Sequence, residues 1–151
     1  MKVALGCDHA GFAIKDIVKK AIEDFGAEIL DFGTFSADSV DYPDYASKVA
    51  LAVSKGQAEK GILICGSGIG VCITANKFKG VRASIAHDIY SAEQGVLHDN
   101  MNVLCLGARV IKPELAPSLV KAFLKADFQK NEERHARRCG KVLAFEQENF
   151  K

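Results

Sequence analysis

The chain has 151 residues, of which 20 are Lys or Arg and 19 are Asp or Glu, so its formal net charge at pH 7 is only +1. A balance this close to neutral excludes the broad basic field that drives nonspecific nucleic-acid binding. Hydrophobic residues make up 48% of the chain, but no apolar run approaches the length of a membrane span. We therefore expect a globular protein that binds neither nucleic acid nor a membrane.

The start of the chain is typical of a β-strand rather than a signal peptide, which predicts a cytoplasmic location. The 5 cysteines are widely spaced, and an odd number suits a reducing compartment better than a disulfide framework. No CxxC or HxxxH pair occurs, so a structural zinc site is not expected.

Strand and helix patterns alternate along the chain. Apolar runs predict strands at residues 2–7, 28–32, 61–65, 81–86 and 103–107. Helical periodicity and helix stop signals predict helices at residues 12–25, 44–55, 69–77, 89–97, 113–126 and 131–147. Residues 33–43 form a loop long enough to carry function. No internal repeat or linker interrupts the pattern, so we predict one domain over residues 1–151.

This alternation favours right-handed βαβ units and an α/β, doubly wound fold of the Rossmann or flavodoxin type. We expect three layers, with a five-stranded parallel sheet in the order 2-1-3-4-5 and an added C-terminal helix. Ligands bind such sheets beyond the carboxyl ends of the strands, at the topological switch point. Strands one and three flank that point, so Asp8 and His9 should face residues 65–70 across one crevice.

The central feature is the apolar run Ile62–Cys65, followed by the glycine loop, which we define as residues 66–70. The run is typical of a strand buried on both faces, and the glycines let backbone N–H groups approach a ligand. Three familiar phosphate-binding motifs do not fit. A Walker loop needs Lys where Val71 stands, a dinucleotide fingerprint needs Gly there, and a cysteine phosphatase needs Arg there. A loop of amides suited to an anion or an oxyanion remains.

Candidate side chains have both structural and functional interpretations. Cys7, Cys72 and Cys105 fit the buried core, whereas Cys65 ends its strand at the binding edge, near a helix start that favours a thiolate. The residue pattern alone leaves the choice for Cys65 even.

The residue pattern also leaves the roles of the histidines and arginines undecided. His98 ends a helix and so suits a favourable dipole interaction, while His9 is better placed for chemistry and His87 for a structural role. Arg134 and Arg138 lie four residues apart on one helical face, which is either a solvated surface or a phosphate site.

Six motifs together resemble the type B ribose-5-phosphate isomerases, which are grouped with the galactose-6-phosphate isomerase subunits. The resemblance covers essentially the whole chain in order. The motifs are residues 6–12, 41–43, 61–70, 75–77, 98–103 and 107–110.

The resemblance implies reversible conversion of an aldose phosphate to a ketose phosphate, without metal or organic cofactor. It implies that Cys65 is the general base that moves a proton between C2 and C1, and that His98 assists ring opening. It also implies that the substrate-binding positions are Asp8, His9, Tyr42, Gly66, Ser67, Gly68, Ile69, Gly70, Asp99, Arg109, Arg134 and Arg138. The last three arginines match the phosphate-binding positions, and the glycine loop matches the anion hole.

The same resemblance implies a homo-oligomer, a dimer or a tetramer, with active sites at the subunit interface. Two positions depart from the usual pattern. Ser67 replaces a common threonine but keeps the hydroxyl. Asp99 replaces a common asparagine, and an ionised carboxylate has no hydrogen to donate to a substrate. Arg137 is an additional basic residue without an assigned role.

The leading hypothesis is a cytoplasmic isomerase of the pentose phosphate pathway that interconverts ribose 5-phosphate and ribulose 5-phosphate. One alternative is isomerisation of another phosphosugar, such as a tetrose or hexose phosphate. A second is a non-catalytic phosphate- or nucleotide-binding module on a flavodoxin-like fold.

Overall fold

The computed structural model describes residues 1–150 and confirms the doubly wound α/β fold. The parallel sheet consists of β1 (Lys2–Cys7), β2 (Glu28–Asp31), β3 (Lys60–Cys65), β4 (Ala83–Ile85) and β5 (Val103–Gly107). The helices are α1 (Phe12–Phe25), α2 (Tyr42–Ser54), α3 (Ile69–Ala75), α4 (Ile89–Asp99), α5 (Ala116–Lys125) and α6 (Glu133–Asn149), and a 3₁₀ turn at Pro113–Leu115 precedes α5. Within residues 1–150, no helix is both long enough and apolar enough to cross a membrane.

The strand order is β2-β1-β3-β5-β4, so the predicted order 2-1-3-4-5 is wrong for its last two strands. β5 pairs with β3 and is buried along its whole length, whereas β4 is short and partly exposed. A continuous apolar strand gains most from the interior of a parallel sheet, and a three-residue strand leaves few unpaired groups at the edge. The swapped positions of β4 and β5 leave β1 and β3 at the switch point, as predicted.

A side chain forms hydrogen bonds with the backbone at the exposed edge of β4. The Asn76 amide donates to the Ala83 carbonyl over 2.9 Å and accepts from the Ala83 N–H over 2.8 Å. Asn76 thus imitates a neighbouring strand, which satisfies backbone groups that an edge strand leaves open.

The sheet separates two apolar layers because side chains alternate between its faces. Ile62 and Ile64 of β3 pack with α1, α4 and α5, and Leu63 and Cys65 pack with α2 and α3. The Cys65 side chain is therefore directed to the face on which α3 follows the glycine loop.

Lys60 is buried at the start of β3 and caps the carboxyl end of α5. Its Nζ donates to the carbonyl oxygens of Phe123 and Ala126, each over 2.8 Å. Burial lowers the pKa of Lys60, although nearby Asp127 and Glu59 act in the opposite direction. Carbonyls at a helix end lack intrahelical partners, so this ammonium acts as a C-terminal cap.

Replacing Lys60 with Met should lower the free energy of unfolding by about 2 kcal/mol, because buried carbonyls at the end of α5 lose their donor. Urea denaturation followed by circular dichroism measures the change. Lys121→Met, on the exposed surface of the same helix, is the matched control. Equal effects of the two substitutions would contradict the capping role.

Candidate active site

A cavity of about 400 Å³ lies at the carboxyl ends of β1 and β3. It brings together the two segments that were predicted to face each other there. The lining residues are Asp8, His9, Ala10, Tyr42, Cys65, Gly66, Ser67, Gly70, Arg109 and Val110. Among residues 1–150, no group of three or more His, Cys, Asp or Glu side chains is arranged to hold a metal ion.

The Cys65 thiol is almost fully buried, with 4% of its surface exposed. Its sulfur accepts a hydrogen bond of 3.0 Å from the Gly68 N–H. Gly68 has a φ of +82°, a left-handed conformation that glycine adopts without steric cost. That conformation turns the backbone so that a donor faces the sulfur, at the point where a base would carry negative charge.

The other glycines of the loop make room for side chains from elsewhere. A Cβ at Gly66 would lie 3.0 Å from the Arg109 guanidinium, and a Cβ at Gly70 would lie 2.7 Å from the Tyr42 ring. Arg109 and Tyr42 therefore rest directly on the loop backbone. A larger residue at either glycine would push one of these side chains away from the cavity.

Two of the loop amides have partners within the chain. Gly68 donates to Cys65, and Ile69 donates to the Ser67 hydroxyl oxygen over 3.1 Å. Gly70, in the first turn of α3, lines the cavity and belongs to the turn whose N–H groups have no intrahelical acceptor. The N–H groups left for the predicted anion hole are those of the other loop residues, and they include that of Gly70.

Asp8 and His9 are fixed by backbone contacts. The Asp8 carboxylate is 7% exposed and accepts from the Gly11 N–H over 2.9 Å. The His9 Nδ1 lies 3.1 Å from the Val40 nitrogen and 3.2 Å from the Val40 oxygen. The loop after β2 therefore anchors the histidine ring through Val40.

Arg109 reaches the cavity on a turn that closes over the end of β3. The Ala108 N–H donates to the Cys65 carbonyl over 2.8 Å, and the Arg109 N–H donates to the Gly66 carbonyl over 3.0 Å. The Gly107 N–H donates to His87 Nε2 over 2.9 Å, so this imidazole nitrogen must be unprotonated. His87 thus supports the turn, in agreement with its predicted structural role.

His98 and Asp99 lie at the other end of the molecule, outside this cavity. They end α4, and only residues 100–102 separate them from the amino end of β5, whereas Cys65 pairs with Gly107 at the carboxyl end. Five strand residues span about 15 Å. One chain therefore does not bring Cys65 and His98 together.

The His98 ring is half-buried and contacts α6. It stacks on His135 with a centroid distance of 4.1 Å, and the Cys139 thiol donates to the His98 carbonyl over 3.3 Å. Burial is the main cause that lowers the pKa of His135. Gln94 contacts Nδ1 of the His98 ring and lies one helical turn before it. Neither His135 nor Gln94 was identified from the sequence.

The arginines of α6 have different surroundings. Arg137 donates to the Glu133 carboxylate over 2.7 Å, an i, i+4 ion pair on the helix surface. Arg134 lies 3.9 Å from Glu132, and Arg138 is exposed without an ion pair among residues 1–150. Arg137, whose role was open, is therefore the arginine that is engaged within its own helix. We call His98, Asp99, Arg134 and Arg138 the α4–α6 cluster.

Comparison with known proteins identifies the family. The family model described as Ribose/Galactose Isomerase matches residues 3–142. The chain belongs to this family. The ribose/galactose isomerase match includes both the cavity and the α4–α6 cluster.

Individual members of the ribose/galactose isomerase family are similar over nearly the full length. Ribose-5-phosphate isomerase B of Escherichia coli is 45% identical over 146 residues, 97% of each chain. D-erythrulose-4-phosphate isomerase 2 of Mycolicibacterium smegmatis is 44% identical and covers 85% of this chain and 86% of its own. The structure of ribose-5-phosphate isomerase B of Mycoplasma genitalium with bound ribulose-5-phosphate has a TM-score of 0.91 and 37% identity, over 98% of this chain and 97% of its own.

The His87 contact predicts a pH effect on stability. Burial lowers the pKa of His87 below the ordinary value of 6.5, with Asp88 acting in the opposite direction. The unfolded chain thus takes up this proton more readily than the folded protein. The stability that neutral His87 contributes is fully present above about pH 6.5. It is lost as the pH falls through the lower pKa that His87 has in the folded protein.

His87→Gln keeps an acceptor for Gly107 but does not titrate. Its urea midpoint should therefore fall less than that of the wild type between about pH 7 and pH 5. Parallel midpoint curves for the two proteins would contradict this role of His87.

Proposed function

We propose that this protein interconverts ribose 5-phosphate and ribulose 5-phosphate by proton transfer through an enediolate, with Cys65 as the base. The single observation that carries the proposal is a buried thiol, paired with the Gly68 N–H, at the wall of a cavity of about 400 Å³. The ribose/galactose isomerase family match supports the reaction class.

The reaction requires little more than what the cavity offers. A base must remove a proton from C2 of the open-chain aldose and return it to C1, so one small base near both carbons suffices. The developing enediolate places negative charge on oxygen, which N–H donors such as that of Gly70 and the Arg109 guanidinium would stabilise. No step of this scheme needs a metal or an organic cofactor.

The residue that the family resemblance assigns to ring opening, His98, does not line the cavity, although His9 does. His98 is the candidate acid, and Arg134 and Arg138 are candidate phosphate ligands, yet all three belong to the α4–α6 cluster. We infer that a second copy of the chain places its α4–α6 cluster against this cavity, in a dimer or a tetramer. A site that needs two copies explains why the functional residues of one chain lie at two ends.

Exposed apolar side chains support this assembly. On α3, Ile69 is 53% exposed and Ile73 is 59% exposed, and on α6 the values are 55% for Val142 and 65% for Phe145. Each pair lies on one side of its helix, three or four residues apart. Apolar surface of this kind on a helix beside a site is typical of a protein interface.

A second candidate substrate is a tetrose phosphate, because D-erythrulose-4-phosphate isomerase 2 of Mycolicibacterium smegmatis is 44% identical. An assay of initial rates on a panel of phosphosugars decides between the substrates. Ribose 5-phosphate should have the highest kcat/KM, and a higher value for erythrulose 4-phosphate would reverse the assignment. We place the reaction in the cytoplasm, where free thiols persist.

Cys65→Ser should reduce kcat by about 10³-fold, because a neutral hydroxyl is a far weaker base than a thiolate. Substrate affinity, measured by calorimetry, should stay within about threefold, since the phosphate contacts remain. Cys72→Ser is the matched control, because Cys72 lies in α3 but does not line the cavity. A hydrogen bond from Cys105 lowers the pKa of Cys72 to about 7. A thiol-modifying reagent would therefore not distinguish Cys72 from Cys65, whereas the two substitutions do.

Equal activity of the two serine variants would remove Cys65 as the base. Retention of more than about a tenth of wild-type kcat in Cys65→Ser would do the same.

Mixing two inactive variants tests the shared site. Cys65→Ser and His98→Asn should each lack activity as homo-oligomers. After co-refolding, random mixed dimers contain one site with both native residues, so activity should recover to about a quarter of the wild-type value. No recovery, with mixed oligomers shown to form by native mass spectrometry, would place both residues in a site within one chain.

A further inference from the structure

Gln94 connects His98 to Asp99. It lies in α4, one turn before the histidine. Its Nε2 atom is 3.2 Å from His98 Nδ1 and 3.1 Å from an Asp99 carboxylate oxygen. One amide group therefore contacts both residues at the end of the helix.

These contacts determine where the His98 proton is. An ionised carboxylate only accepts hydrogen bonds, so the Gln94 atom that faces Asp99 must be the NH₂ group. An NH₂ group only donates, and its second hydrogen is directed to His98 Nδ1. Nδ1 is then the acceptor, and in a neutral imidazole the proton is on Nε2.

We propose that Asp99 and Gln94 are positioning residues that hold His98 in the Nε2–H tautomer. The ring then presents a donor on the edge that faces away from its own helix. This rests on the proposed function, because an acid for sugar ring opening must carry its proton toward the ring oxygen. The arrangement gives Asp99 a role that needs no hydrogen bond to the substrate.

The aspartate is essential to this arrangement. An asparagine side chain contains both a donor and an acceptor, so it could form a hydrogen bond with the Gln94 amide in either orientation of that amide. Its oxygen would favour the same tautomer, and its NH₂ group would favour the other one. Asp99 removes this ambiguity, because both of its oxygens accept.

The remaining surroundings of His98 hold the ring without competing for Nδ1. His135 stacks on the ring face, and the Cys139 thiol contacts the backbone carbonyl rather than the imidazole. The charged side chains that act on the pKa of the stacked His135 are Arg134, Arg138 and Glu132. None of them forms a hydrogen bond with the His98 ring within residues 1–150, so Gln94 is the residue that fixes the tautomer.

The tautomer can be measured directly by NMR of the protein with ¹⁵N-labelled histidine, at a pH where His98 is neutral. The spectrum of His98→Asn identifies the His98 signals by their loss. The wild type should show the Nε2–H form alone. Gln94→Leu should show a mixture, and Gln94→Glu should shift the proton to Nδ1, because a carboxylate at that position accepts. An Nδ1–H form in the wild type, or an unchanged spectrum of Gln94→Leu, would overturn the proposal.

Kinetics tests the consequence for catalysis. Gln94→Leu should lower kcat with ribose 5-phosphate about tenfold, while KM changes less than about twofold. Glu93→Gln, at an exposed position next to Gln94, is the control that should leave both constants unchanged. A loss in Gln94→Leu that appears only in KM would contradict a role in proton transfer. If the wild type does not isomerise ribose 5-phosphate, the proposed function fails, and the NMR experiment still decides the tautomer.

Discussion

The end of β3 is held between two neighbouring segments by backbone hydrogen bonds, and the candidate site depends on this constraint. The Asp8 N–H donates to the Ile64 carbonyl over 3.2 Å, and the Ala108 N–H donates to the Cys65 carbonyl over 2.8 Å. A Cβ at Gly107 would lie 2.6 Å from the Ser67 backbone, so the turn after β5 needs a glycine to approach this closely. The thiol is therefore carried by backbone that is fixed from both sides. Such rigidity suits a base that must reach two adjacent carbons.

The sheet topology explains why the candidate functional residues of one chain lie at two ends of the sheet. Because β5 lies next to β3, the residues after β5 bring Arg109 onto the glycine loop. The helix that leads into β5 must run back along the sheet, so its last residues, His98 and Asp99, lie at the amino ends of the strands. Arg134 and Arg138 of α6 act electrostatically on His135, which stacks on His98. The parallel fold thus places the proposed base at one edge of the sheet and the proposed acid, with the candidate phosphate-binding arginines, at the other edge. The proposed second copy of the chain would bring the two groups together.

Much of this arrangement could be predicted from the sequence because it depends on local pattern. Buried apolar runs located the strands, and the switch-point rule placed Asp8 and His9 opposite Cys65. The order of β4 and β5 was not predicted correctly, although β5 is continuously apolar and buried whereas the short β4 contains Ser84. The partners of the loop amides and the contact between Gln94 and Asp99 depend on side-chain and backbone geometry that no spacing rule specifies. The Arg137–Glu133 pair has i, i+4 spacing and could have been predicted from the sequence. The roles of the individual site residues remain predictions.

We propose that Cys65 of one copy and His98 of another copy act on the same sugar. A crystal structure of the protein with bound ribulose 5-phosphate tests this most directly. We expect the sugar between these two side chains, with C1 and C2 within about 3.5 Å of the sulfur and the phosphate on arginine guanidinium groups. A sugar enclosed by a single chain, with every copy of His98 more than about 10 Å away, would contradict the account.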